Sequence, residues 1–276
     1  MMPQQLLGIL GEKISHTLSP RIHNFSASYL KKNCVYEVYD MGSEKLEDFL
    51  DSFLERGGIG FNVTTPHKAA VAKLVGGHSL NSINTVFRKN NAWHGASTDI
   101  TGLEAAIKKL EYSLADFSEI VILGNGGVVR ALLDHIQKEF RSFPDVTILR
   151  RSDARDAEYL KSYPSLAPRL KSWDLTSFDE ALKSGGKKTL VIQASSAPLR
   201  GDDLSSLAPA MKTFRGVFVD LVYGQPSALL KVATEKGIPS QDGLPMLIEQ
   251  ARASQQYWWG TSVPYSEILK ELKKHR

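Results

Sequence analysis

The segment Asn62-Val63-Thr64-Thr65-Pro66-His67-Lys68 sets a lysine, two hydroxyls and an amide where a strand gives way to a helix. Ile59 to Val63 follows the Gly57-Gly58 turn and reads as a short strand. Thr65 suits the N-cap of the next helix and Pro66 its first position, which puts Lys68 at N3. A cation there meets the positive end of the helix dipole, and partial burial further disfavours its charge, so the ammonium is disposed to give up a proton. Such a lysine suits proton transfer to an oxygen that gains charge. A solvated surface lysine is the ordinary alternative, so the case turns on what converges with it.

The elements around it alternate. Strands are expected at Leu6 to Leu10, Val35 to Asp40 and Ile59 to Val63, with helices at Pro20 to Lys31, Glu44 to Glu55 and Pro66 to Val75. That alternation predicts an α/β unit with largely parallel strands. Ser82 to Phe87 and Ala92 to Gly95 flank Arg88-Lys89-Asn90-Asn91, a hairpin turned by asparagine. Thr98-Asp99-Ile100-Thr101-Gly102 then opens an amphipathic helix to about Leu110. Asp99 suits capping that helix as well as partnering a lysine.

A second α/β series starts at Glu119, with strands at Ile120 to Leu123, Val146 to Arg150, Thr189 to Gln193 and Gly216 to Leu221. Helices are expected at Val128 to Phe140, Phe178 to Lys183 and Ser227 to Lys236, while Asp153 to Lys171 is polar with a weaker pattern and Gly185 to Lys188 reads as a loop. Leu244 to Trp259 and Tyr265 to Lys274 close the chain as two helices. Between the first strand and helix of this series stands Gly124-Asn125-Gly126-Gly127, the context of a dinucleotide phosphate site. Gly124 allows the tight turn, Gly126 lets the backbone approach a pyrophosphate, and the helix end supplies N–H groups. Val129 occupies the place of the third glycine of the G-x-G-x-x-G pattern. The next strand ends at Arg150-Arg151-Ser152, where NAD enzymes usually carry an acidic residue. Two guanidiniums and a hydroxyl suit a 2′-phosphate, which favours NADP.

The 276 residues suffice for two domains. A net charge of +4 spread among mixed charges gives no reason to expect nucleic acid. The one cysteine, Cys34, rules out an intrachain disulfide and is expected to pack rather than react. No apolar run reaches membrane-spanning length, and a cytoplasmic chain without membrane contact is expected. His16, His23 and His67 lack metal-ligand spacing, so no metal is expected. Trp258-Trp259 reads as core.

Several of these segments, in order, resemble the shikimate dehydrogenase family over nearly the whole chain. Ile14 to Asn24 is similar to its substrate-carboxylate segment, with Thr17 and Ser19 as the hydroxyls; each also suits capping the helix at Pro20. Asn62 to Lys68 resembles the catalytic-lysine motif, Ser82-Ile83-Asn84-Thr85 the Asn-Thr strand, and Ser97-Thr98-Asp99 the Asn-Thr-Asp motif. Asp220-Leu221-Val222-Tyr223 and the run from Asp242-Gly243 to Gln250-Ala251 resemble later motifs. The resemblance implies reversible NADP-linked reduction of 3-dehydroshikimate to shikimate, in the pathway to aromatic amino acids. It implies Lys68 and Asp99 as the catalytic pair, with Thr17, Ser19, Asn62, Thr64, Asn84, Tyr223 and Gln250 at the substrate. Ser195, Leu221 and Gly243 join Gly124 to Gly127 and Arg150 to Ser152 at the cofactor.

The expected architecture is a substrate-binding catalytic domain of residues 1–100 plus 239–276, and a Rossmann-like, doubly wound NADP domain of residues 101–238, with a cleft between. The partner is a small molecule, and the chain a monomer or homodimer. Ser97 and Ile100 replace the family's Asn and Gly beside Asp99, and Gln193-Ala194-Ser195 replaces an Asn-Ala-Thr segment. Those departures leave open a quinate or mixed quinate/shikimate dehydrogenase, or a relative that binds ligand without turnover.

Overall fold

The computed structural model describes residues 4–15, 17–76, 80–154, 156–185 and 188–274. His16 and the Gly186-Lys187 part of the expected loop lie outside them. In chain order the elements are β1 (Gln5–Gly11), α1 (Ser19–Tyr29), β2 (Cys34–Asp40), α2 (Leu46–Glu55), β3 (Gly58–Val63), α3 (Lys68–Leu74), β4 (Thr85–Lys89), β5 (Ala92–Ala96) and α4 (Asp99–Lys108). Then follow β6 (Glu119–Leu123), α5 (Gly127–Glu139), β7 (Asp145–Arg150), α6 (Asp156–Ser162), β8 (Arg169–Ser172), α7 (Leu175–Gly185) and β9 (Thr189–Gln193). Last come β10 (Val217–Asp220), α8 (Ala228–Glu235), β11 (Ser240–Gln241), α9 (Leu244–Trp259) and α10 (Tyr265–Lys273). Two compact units divide the chain: Met1–Gly102 with Leu247–Arg276, and Leu103–Met246.

The first unit is built on a sheet of order β2-β1-β3-β4-β5, in which β1 runs parallel to β2 and β3 while β4 and β5 form an antiparallel hairpin. Asn90 and Asn91 turn that hairpin at φ of 51° and 60°, a backbone that asparagine tolerates better than most residues. Helix α2 carries Leu46, Phe49, Leu50 and Phe53 on one face, the helical spacing for packing, against Phe61, Val63 and Val86 of the sheet. Each such side chain, fully buried, stabilises by about 1.5–3 kcal/mol. On Leu7, Ile9, Ile14 and Tyr36 pack Trp258 and Trp259 of α9, and the Trp258 indole N–H donates to Val86 O at 2.9 Å. The tryptophan pair is core, as its sequence position suggests.

The second unit is a six-stranded parallel sheet of order β11-β10-β9-β6-β7-β8, the doubly wound arrangement with its reversal between β6 and β9. Strands β6 and β9 are buried along their whole length, as helices on both faces require.

Four elements differ from expectation. The polar stretch Asp153 to Lys171 contains α6 and β8: β8 is a four-residue edge strand with little apolar alternation, and α6 is anchored by Tyr159 instead of an aliphatic stripe. Ser240–Gln241 pairs with β10, so this part of residues 239–276 lies in the second unit. Helix α3 begins at Lys68 and not at Pro66.

Candidate active site

That last shift changes the position of Lys68. After β3 the chain makes a turn in which His67 N–H donates to Thr64 O at 3.0 Å, with Thr65-Pro66 in the cis form. Those residues are used by the turn, so the N-cap is His67, without a side-chain cap, and Lys68 is the first helical residue rather than the third. Buried His67 is held by Met41 O at 2.7 Å and Ser43 Oγ at 3.1 Å, which gives it a structural role.

From that turn Lys68 Nζ donates to Asp99 Oδ2 at 2.5 Å, with both side chains almost wholly buried, 11% and 2% exposed. Taking two charges out of water costs several kcal/mol per ion, so such a pair persists only where the remaining oxygens are satisfied. They are. Asn84 Nδ2 donates to Asp99 Oδ1 at 2.8 Å, and Asn84 Oδ1 accepts from Thr98 N–H at 2.8 Å, Thr98 Oγ1 at 3.2 Å and Thr85 Oγ1 at 3.1 Å. Asp99 stands at the start of α4, yet its carboxylate is taken by Lys68 and Asn84. The amide thus fixes the carboxylate, and the carboxylate fixes the lysine.

A further shell reaches Asn62. Its Nδ2 donates to Asn84 O at 3.1 Å, Thr85 Oγ1 at 3.2 Å and Ser254 Oγ at 3.0 Å, and its Oδ1 accepts from Tyr36 OH at 2.7 Å. Thr85 and Ser254 hydroxyls lie 2.8 Å apart, and Ser254 Oγ donates to Gln250 O at 3.0 Å. Burial pushes the Tyr36 phenol well above its usual range, a hydrogen bond with Ser19 opposing. Thr17 Oγ1 donates to Ser19 Oγ at 3.1 Å and accepts from Ser19 N–H at 3.3 Å. The residue preceding α1 is Leu18, so neither hydroxyl is that helix's N-cap. Thr64 is half-buried, its N–H on Leu10 O at 2.9 Å, and Gln250 is half-buried on α9. Sequence reading missed Tyr36, Thr85 and Ser254; only the Asn-Thr pairing at Asn84 pointed toward one of them.

In the second unit, Gly124 has φ of +116°, and a Cβ there would stand 3.1 Å from Ser195 N. Gly126 is the N-cap of the thirteen-residue α5, Gly127 its first residue, and a Cβ on Gly126 would meet nothing within 4 Å. Open space there is what a glycine-cradled phosphate needs. Val129, at the third-glycine position, is buried in the helix packing. Asn125 O accepts from Tyr159 OH at 2.7 Å.

Arg150 and Arg151 sit at the end of β7, but each has a carboxylate partner. Asp156 takes Arg150 Nε at 2.8 and 3.0 Å and also its Nη2, which holds the Asp156 carboxyl below its ordinary value. Arg151 pairs with Asp202 and lies 4.7 Å over the Trp173 ring. Exposed Ser152 accepts from Ala154 N–H at 3.3 Å. Ser195 N–H and Oγ both donate to buried Gln193 Oε1 at 2.7 Å, and Gln193 Nε2 donates to Asp220 Oδ1 at 3.3 Å. This explains the glutamine at that departure: it ties the loops after β9 and β10 together. Leu221 N–H donates to Gln193 O at 2.9 Å, and Gly243 N–H to Val222 O at 3.0 Å. A Cβ on Gly243 would lie 2.2 Å from Leu221 O, so only glycine allows that approach. Half-buried Tyr223 follows β10 in this unit. Among the described residues no group of His, Cys, Asp and Glu is arranged to hold a metal ion. Burial pushes the Cys34 thiol up to about 12, far from a nucleophile.

Comparison with known proteins converges on one family. Residues 9–86 match the family model described as shikimate dehydrogenase substrate binding domain. A protein of Microcystis aeruginosa named Shikimate dehydrogenase (NADP(+)) is 30% identical, over 98% of this chain and 96% of its own length. The crystal structure of shikimate dehydrogenase from Aquifex aeolicus superposes with a TM-score of 0.82 at 27% identity, covering 99% of this chain and 100% of that one. That of shikimate 5-dehydrogenase from Thermus thermophilus, in complex with NADP(H) and shikimate, gives 0.78 at 25% identity over 98% and 99%. With identity of this extent along the full chain, and with two α/β units matching those folds, the chain belongs to the shikimate dehydrogenase family.

Proposed function

We propose that this chain catalyses the reversible NADPH-dependent reduction of 3-dehydroshikimate to shikimate, a CH–OH oxidoreduction of the shikimate pathway. The observation that carries the reading is the buried Lys68–Asp99 pair at 2.5 Å in a chain of this family. The named relative uses NADP(+), and the Thermus protein binds NADP(H) and shikimate.

NADPH, when bound, supplies the hydride. The rest of the chemistry belongs to side chains. As the substrate carbonyl becomes an alcohol, its oxygen gains charge, and Lys68 Nζ stabilises that charge and delivers the proton. Asp99 keeps the lysine oriented, and Asn84 keeps Asp99 oriented. Thr17 and Ser19 receive the substrate carboxylate, with Asn62, Thr64, Asn84, Tyr223 and Gln250 offering donors and acceptors to a polyol ring. Gly124 to Gly127 and the first turn of α5 receive the pyrophosphate. Arg150, Arg151 and Ser152 address the 2′-phosphate, with the Arg151 guanidinium over the Trp173 ring. Ser195, Leu221 and Gly243 complete the cofactor set.

The test is spectrophotometric: NADP+ and NAD+ reduction with shikimate and with quinate. Reduction of NADP+ by shikimate, faster than by quinate or with NAD+, is expected. Binding of shikimate without reduction of either cofactor would overturn the reading.

A further inference from the structure

The phosphate loop is gripped from beneath by the short helix α6. Tyr159 is buried, and its hydroxyl donates to Asn125 O at 2.7 Å, with Gly126 O at 3.4 Å. The Arg130 guanidinium of α5 lies 4.8 Å over the Tyr159 ring and pairs with Glu158 at 2.8 Å, which holds the ring in place. Just past α6, Tyr163 OH donates to Asp134 Oδ1 at 2.9 Å and to Arg130 O at 3.2 Å, so the first turns of α5 are fixed at several points. At the start of α6, Asp156 holds Arg150 at the end of β7.

We infer that Tyr159 is a positioning residue for the dinucleotide loop, setting the direction of the Gly126 amide through the Asn125 carbonyl. In a trans peptide the C=O and the following N–H point to opposite sides of the chain. A hydroxyl that draws Asn125 O inward therefore turns Gly126 N–H outward, on the residue whose absent Cβ leaves open space. A preformed amide costs nothing to reorient when an anion arrives, whereas a loop released from that hydroxyl must order on binding. This inference rests on the cofactor reading above and adds the residue that prepares its pyrophosphate site.

Tyr159→Phe removes the hydroxyl and keeps the ring under Arg130. In calorimetric titration the variant is expected to bind NADPH about three- to tenfold more weakly, the worth of one neutral hydrogen bond. Its affinity for 2′-AMP, which carries no pyrophosphate, should match that of the unsubstituted chain. Hydrogen exchange should quicken at the amides of residues 126–128 and stay unchanged along β6. A general loosening would instead weaken both ligands alike and speed exchange throughout, which overturns the inference. Unaltered NADPH affinity in the variant, with the unsubstituted chain binding normally, overturns it alone. Failure of the unsubstituted chain to bind NADPH would remove the cofactor reading and this inference together.

Discussion

The two polar centres are built from different materials. Around Lys68 and Asp99, the atoms proposed to act belong to side chains, and each is held by another side chain: Asn84 on Asp99, Thr85 and Thr98 on Asn84, Ser254 and Tyr36 on Asn62. Around Gly124 to Gly127 the atoms proposed to act belong to the main chain, and side chains such as Tyr159 and Gln193 serve to shape it. A substitution in the first centre therefore removes a chemical group, whereas one in the second changes a shape. Turnover should report the first and cofactor affinity the second.

Lys68→Ala tests that contrast most severely. Loss of the proposed proton donor should lower kcat by about 10²–10⁴-fold, the range for a positioned acid or base. None of the loop's hydrogen bonds named above involves Lys68, so the NADPH Kd should stay within about twofold. A matched fall in kcat and cofactor affinity would show that the two centres are not separable.

Asn84→Ala comes next. It strips Asp99 of one hydrogen bond and leaves the buried Thr98 N–H without its acceptor, at a cost of about 1–3 kcal/mol for the orphaned group. Thermal denaturation should show that loss, and kcat should fall by roughly tenfold or more as the Lys68–Asp99 geometry loosens. On the other side, Gly124→Ala places a methyl at φ of +116° and 3.1 Å from Ser195 N. The strain, about 1–3 kcal/mol, should appear as weaker NADPH binding with kcat at saturation retained. If kcat at saturation fell more than affinity, the division of labour would be wrong.

The same difference explains what could be read from the residues. Lys68 stands out by its type at a strand-to-helix junction and the glycine loop by its place between an apolar strand and a helix, whereas Asp99, which suits a helix cap as well, is paired with the lysine only through the family resemblance. Their supports do not stand out. Thr85 and Ser254 lie 169 positions apart, and Asn62 and Ser254 192, so nothing local in either sequence segment signals the contact. Tyr36 sits in an alternating strand and reads as packing. Thr65-Pro66 fits a helix start by composition, but the turn closed by His67 on Thr64 consumes those residues and moves the start to Lys68. The pairing of Arg150 is equally silent, because its partner, Asp156, lies in a stretch where two tyrosines replace the aliphatic pattern that would have revealed α6.

The last comparison concerns a residue packed on Tyr36 of the side-chain centre. His23 is buried, stacked on Tyr36 at 4.5 Å and edge-on to Trp258 at 5.1 Å, and its Nδ1 has no hydrogen-bond partner. Burial pushes the imidazole down to about 3, with Asn62 opposing. An unfolded chain takes up that proton near 6.5, whereas the folded chain does so only near 3, so between those values the unfolded state binds more protons. Stability from this residue is thus complete above pH 6.5 and declines as pH falls, at up to about 1.4 kcal/mol per pH unit. The second unit carries a group of opposite sign. Burial raises the Asp220 carboxyl, against hydrogen bonds from Ser227, Val222 N–H and Gln193, so its native state takes the proton first and that contribution grows on acidification. Urea midpoints for the unsubstituted chain and His23→Phe, which keeps a ring on Tyr36, should separate the two. The variant is expected to lose the decline just below pH 6.5, and parallel curves would mean that the buried imidazole does not govern the acid sensitivity of the first unit.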